Sequence, residues 1–140
     1  MARLYKKIEV YHLSYFFVLE VYQFTRKFPA SEEQNITSQL RRAAVSIPLN
    51  IAEGSAKASN REFAYFLNVA YASAKEVEVL LDLSKDLKYI DPETHLYLAT
   101  KLDQVSAKLF LFLRNVESRV NSQRFHFFKK FERTDSSPMK

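Results

Sequence analysis

Apolar residues recur at spacings of three and four along most of this chain, and the breaks between these runs divide it into four helical segments. The first is expected over residues 8–28, with Val10, Leu13, Phe17, Val21, Phe24 and Phe28 on one side and Pro29 after it. Ser31 with Gln34 three residues on reads as a capping box that opens a second helix over 32–54, and Gly54 as its end or change of direction. Ser59 with Glu62 is another capping box and opens a third helix, over 60–89. Its seam is Phe63, Leu67, Ala70, Ala74, Val77, Leu81 and Ser84. Asp91 and Pro92 supply an N-cap and a first-turn proline for a fourth helix, over 92–122. There the seam is Leu98, Leu102, Val105, Leu109, Phe112 and Val116. Seams of period 3.5 pack at small crossing angles, so the pattern predicts an all-α, antiparallel up-down-up-down four-helix bundle.

The second segment departs from a plain amphipathic helix. At 100° per residue, Leu40, Ala43, Ala44, Ile47 and Ile51 gather on one side, facing the core. Gln39, Arg42, Ser46, Asn50 and Glu53 form a narrow polar stripe. Val45, Pro48, Leu49 and Ala52 form a second apolar patch, bordered by Arg41. A helix packed only within a monomer shows water one broad polar face. Two apolar surfaces imply burial on two sides, most simply by self-association. Pro48 lacks the amide that would bond the Ala44 carbonyl, so a kink is expected near residues 44–47. Either the kink only bends the helix around its neighbours, or the freed carbonyl accepts a side-chain bond from another subunit. The first segment is also richer in aromatic residues (Tyr11, Tyr15, Phe16, Phe17, Tyr22, Phe24, Phe28) than one core-facing stripe requires, which suits an interface.

Composition narrows the class further. The chain has 140 residues, 47% of them hydrophobic, enough for one globular domain. One glycine and four prolines are too few for an all-β domain with many tight turns. The absence of cysteine excludes disulfides, thiolate metal sites and a cysteine nucleophile. The N-terminal basic residues precede an unbroken apolar run of only Tyr15–Leu19, too short for a signal peptide or a membrane span, so a soluble cytoplasmic protein is expected.

The net charge of +5 is unevenly placed. Residues 1–122 carry 16 basic and 14 acidic side chains, and residues 123–140 carry five and two. The tail Arg124-Phe-His-Phe-Phe-Lys129-Lys130-Phe131 interleaves aromatic and basic residues, which suits stacking on single-stranded bases beside phosphate contact. It also reads as a continuation of the fourth helix with its phenylalanines packed, and residues 134–140 as a disordered end. Arg41, Lys57 and Arg61 are further candidates for nucleic-acid contact. An enzyme is not expected. His12, His95 and His126 fall in three different segments, Glu9 with His12 is the one Glu-x-x-His pair where a di-iron site needs such a pair on each of two helices, and Gly54 alone cannot make a phosphate loop. Glu76, Glu78 and Asp82 read as solvated charge. No metal or cofactor is expected.

Arg42-Ala43, Ser46-Ile47-Pro48, Asn50-Ile51-Ala52-Glu53-Gly54, Glu62-Phe63, Phe66-Leu67, and Ser73 with Glu76 and Glu78 together resemble the signature of the bacterial 23S rRNA intervening-sequence proteins over about residues 10–120. The resemblance makes Arg42, Ser46, Pro48, Asn50, Glu53 and Gly54 a structural or interface signature. It implies short-looped four-helix bundles assembled as homopentamers. Through the accessory protein of diversity-generating retroelements, it also implies contact with nucleic acid and with a protein partner. Ala56 and Ala72 stand where that family usually has glycine, which puts in question any positive φ at 56 and implies looser helix contact at 72. Two functions follow: a homo-oligomer that binds RNA or DNA electrostatically, or an oligomeric scaffold that binds proteins alone.

Overall fold

The computed structural model describes residues 3–135, and their side chains as far as Asn121. Four α-helices, α1 (Glu9–Thr25), α2 (Ile36–Ser55), α3 (Asn60–Asp86) and α4 (Pro92–Asp135), follow one another with only short 3₁₀ turns at Tyr5–Lys7 and Ala30–Glu32 beside them. Among the described residues there is no strand. Helix α1 packs on α2 and α4, and α3 packs on the same two. Ring contacts set the pairing: Phe24 meets Tyr97, Tyr71 meets Phe110 and Phe63 meets Phe112. Lys108 on α4 reaches Glu9 at the beginning of α1.

The apolar seams fill the space between the helices. Phe17, Val21, Leu40, Ile47, Ile51, Phe63, Leu67, Val77, Leu81, Leu98, Leu102, Leu109 and Val116 are all buried. On α4 the seam drifts at its far end. Phe112 is half-buried against the Phe63 ring, and Leu113 is the residue that closes the core there. A straight helix of 3.6 residues per turn slips against a 3.5 repeat, and by the third heptad the slip brings the next residue inward.

The helix ends correct three expectations. Pro29 leads into a 3₁₀ turn, so α2 begins at Ile36 with Asn35 as N-cap and without a capping box at Ser31. Glu32 takes that role through its carboxylate, which accepts the Ile36 amide at 3.3 Å. Gly54 lies inside the last turn of α2 and has no positive φ. Its service is closeness: a Cβ there would lie 2.7 Å from the Phe66 Cβ and 3.0 Å from the Phe63 ring. Third, α3 ends at Asp86, where Lys88 takes φ 64°. The Tyr89 amide donates to the Ser84 carbonyl at 2.8 Å and the Lys88 amide to the Lys85 carbonyl at 2.9 Å, a Schellman closure without glycine.

Two caps stand as read. The Ser59 hydroxyl accepts the Glu62 amide at 3.1 Å, and Asp91 Oδ1 accepts the Thr94 amide at 2.7 Å. That amide, followed by the Thr94 hydroxyl and the charge of Lys27, holds the Asp91 carboxyl below its usual value. Ala56 sits at φ −82°, so alanine there is unstrained. Past Val116, α4 stays helical to Asp135, so residues 123–135 continue the helix.

Candidate nucleic-acid and subunit interfaces

Helix α2 passes unbroken through Pro48, whose ring is buried. Its polar stripe divides into two kinds of residue. Asn50 Nδ2 donates to the Ser46 carbonyl at 2.7 Å and to the Ser46 hydroxyl at 2.8 Å. That hydroxyl shares a 2.8 Å bond with Ser73 of α3, so a three-residue polar link spans the two helices in a half-buried seam. Such a link favours one register, because a shift of one residue would part the Ser46 and Ser73 hydroxyls. Arg42 and Glu53 lie on the same stripe but are exposed, and neither meets a partner among the described residues.

The second apolar patch lines the cleft between α2 and α1. Val45, Pro48, Leu49 and Ala52 face Tyr5, Tyr11, Tyr15 and Val18 around a groove of about 380 Å³. Burial, with Tyr5 and Tyr15 close by, pushes the Tyr11 hydroxyl above its ordinary pKa. The groove continues along Val45 and Leu49 into a more polar cleft lined by Tyr22, Thr37, Arg41 and Arg42. Leu49 remains 52% exposed, Tyr15 47% and Phe16 57%. Large apolar side chains gathered on one face mark an interaction surface more often than scattered ones do.

The basic candidates do not form one cluster. Arg41 is pinned: its Nε donates to the Thr25 hydroxyl at 2.8 Å and its guanidinium lies 4.7 Å over the Tyr22 ring. Lys57 and Arg61 are exposed at the other end of α2, sixteen and twenty residues on. There they are joined by Arg3, which sequence reading did not single out. Its guanidinium donates to the Lys57 carbonyl at 2.8 Å and to Asn60, and lies 4.7 Å over the Phe63 ring. Nothing in the N-terminal sequence foretells that fifty-four-residue reach. The helical continuation of α4 leaves from this same end, carrying Arg124, Lys129 and Lys130, whose side chains lie outside the described residues. Lys57 also lies 5.1 Å over the Phe66 ring, so aromatic and basic groups alternate here.

Two acidic residues of α3 have partners of their own. Asp82 takes His95 of α4 at 2.8 Å, and Glu78 takes Lys75 at 3.2 Å, which raises the lysine's pKa. No three His, Asp or Glu side chains gather as a metal site among the described residues. No described helix is long and apolar enough to cross a membrane.

These features define an all-α protein of four helices with an exposed aromatic face and a basic end. The chain belongs to the 23S rRNA-intervening sequence protein family, whose sequence profile matches residues 6–110. A solved structure from Bacteroides thetaiotaomicron, described as a protein of unknown function from the S23 ribosomal protein family, shares the fold at a TM-score of 0.70. It is 24% identical and covers 75% of this chain and 95% of its own. A search among curated proteins gave no match.

Proposed function

We propose that this protein is a non-enzymatic homo-oligomer, most simply a homopentamer, that works in the cytoplasm and binds RNA or DNA through phosphate contacts. Its subunit is an up-down-up-down bundle in which α2 bends at Pro48. Contacts at the turns support the alternation, since Thr25 late in α1 meets Arg41 in α2, Gly54 late in α2 meets Phe63 early in α3, and Asp82 late in α3 meets His95 early in α4. Oligomerisation is supported by the exposed aromatic face between α1 and α2.

The observation that carries nucleic-acid binding is the basic end. Arg3, Lys57 and Arg61 gather where α4 runs on toward Arg124, Lys129 and Lys130. Symmetric repetition would turn these into rings of positive charge. Binding is then electrostatic and weakly sequence-selective, and falls steeply with salt as counterions are released. The family's name, which refers to ribosomal RNA, favours RNA as the first ligand to test.

The test is a titration of labelled single-stranded RNA and duplex DNA at several salt concentrations, with full-length protein beside a chain ending at residue 122. Tighter binding and a steeper salt slope for the full chain are expected. Equal affinities would clear the tail of a role. Absence of binding at about 50 mM salt would overturn nucleic-acid recognition and leave the scaffold, with a protein as its partner.

A further inference from the structure

One surface of the bundle has no role in any of this. Along the outward side of α3, Tyr65, Ala72, Glu76, Val79 and Leu83 follow one another at helical spacing and are all exposed, Tyr65 by 64% and Val79 by 59%. This stripe lies opposite the buried seam of the same helix. A helix back in water would ordinarily be charged and polar, and this one carries tyrosine, valine and leucine. Helix α2 has a matching outward ridge of Arg42, Val45, Leu49 and Glu53.

The two ridges complement each other residue by residue. Arg42 and Glu53 are eleven residues apart on α2, and Tyr65 and Glu76 are eleven apart on α3. Eleven residues are about three helical turns, so each pair lies on one face, about 16 Å end to end. The Ser46–Ser73 bond sets the level of α2 against α3, and Gly54 against Phe63 and Phe66 shows that numbering rises on one as it falls on the other. Arg42 is one turn before Ser46, and Glu76 is three residues after Ser73. They therefore lie at the same level, and Glu53 and Tyr65 share another. Arg42 and Glu76 make no ion pair among the described residues, so both charges are unspent.

We infer that the α2 ridge of one copy packs antiparallel on the α3 stripe of a second copy of this chain. Arg42 pairs with Glu76, the Tyr65 hydroxyl donates to the Glu53 carboxylate, and Leu49 seats against Ala72. A neighbour related by rotation about an axis along the bundle keeps every level, so one placement satisfies both polar contacts and brings Leu49 within about one turn of Ala72. Alanine at 72 leaves the hollow that exposed Leu49 fills. The charged pair fixes direction and register, and the apolar residues between supply the contact area. Because the two faces differ, the contact is head-to-tail, and repetition closes a ring. This inference rests on the homo-oligomer reading and specifies how it is built.

The chain contains no cysteine, which makes cross-linking unambiguous. Leu49→Cys and Ala72→Cys chains, mixed and oxidised, should give a disulfide-linked dimer, and neither should do so alone. In light scattering, Arg42→Glu and Glu76→Arg should each fall from the assembled mass toward 16.4 kDa, and the double variant should recover it. Circular dichroism of each variant should show unchanged helix content, since both side chains lie in water. Self-linking of Leu49→Cys alone would mean a symmetric contact and overturn the inference. An oligomeric wild type with no mixed cross-link, or with single variants of unchanged mass, would also overturn it while leaving oligomerisation intact. A wild-type mass of 16.4 kDa would overturn both.

Discussion

Helices α2 and α3 bury comparable inner seams and touch along most of their length, yet they are built by different rules. Helix α3 presents a heptad run of Phe63, Leu67, Ala70, Ala74, Val77 and Leu81, each almost fully buried. Helix α2 meets it with a glycine and a polar pair: Gly54 under Phe66, and Asn50 with Ser46 reaching Ser73. A regular seam supplies area and leaves register loosely defined, because each layer resembles the next. The irregular helix supplies the features that can fit only one way. In this pair, α3 gives the contact its strength and α2 gives it its position.

The comparison is tested hardest by the largest side chain of the seam. Phe63→Ala should lower unfolding free energy by about 3–5 kcal/mol in urea titration, the usual cost of removing a fully buried aromatic. A loss under about 1 kcal/mol would mean that the seam is not the source of strength. On the other helix, Gly54→Ala sets a better helix former against crowding. The propensity gain is about 1 kcal/mol, and forcing a methyl against the Phe66 Cβ costs about 1–3 kcal/mol. A net loss near 1 kcal/mol is expected, and a gain in thermal stability would show that α2 can move away freely.

Asn50→Ala removes the donor to both Ser46 acceptors and should cost about 1 kcal/mol. If register is what the polar link supplies, amide exchange should quicken along α2 more than along α3. Lys88→Gly acts at the exit of α3 and not in the contact itself. It relieves a left-handed backbone conformation and should stabilise by about 1 kcal/mol, read as a higher melting temperature.

The smallest effect is expected from Asp91, where α4 begins. Its carboxyl is held below the usual value by the Thr94 amide, so its contribution is present above about pH 4. That contribution is lost as pH falls through the depressed folded-state value. Asp91→Asn keeps a capping oxygen without the titration, so its stability should decline less between about pH 5 and 2 than that of the parent. Identical acid profiles would show that the cap's charge is without consequence.

Much of this was legible from neighbouring residues alone. The seams of α3 and α4 follow from the spacing of Leu, Val and Ala, because a helix face is decided within a few turns. The caps at Ser59 and Asp91 were legible for the same reason, since each needs only a residue three positions on. The double-faced character of residues 39–54 was also visible, because a wheel needs no partner. Ser31 misled, because the 3₁₀ turn after Pro29 and the Glu32 carboxylate compete for the same amides. Gly54 marked the end of α2 to within a residue, but glycine marks both turns and close approaches, and only the position of Phe66 shows its second service.

What tertiary structure alone decided is which distant residues share a place. Arg41 is held by Thr25 and Tyr22, away from Lys57 and Arg61, while Arg3 crosses the chain to join them. Ser46 and Ser73 stand out in sequence only as parts of a signature, and the fold joins them in the bond that sets the level of two helices. Helical periodicity is a property of the backbone and its nearest neighbours, so the sequence by itself determined four helices and their inner faces. Register between helices depends on pairs tens of residues apart, and no local spacing encodes them. That register puts Arg42 level with Glu76, and the basic residues at the end from which α4 runs on.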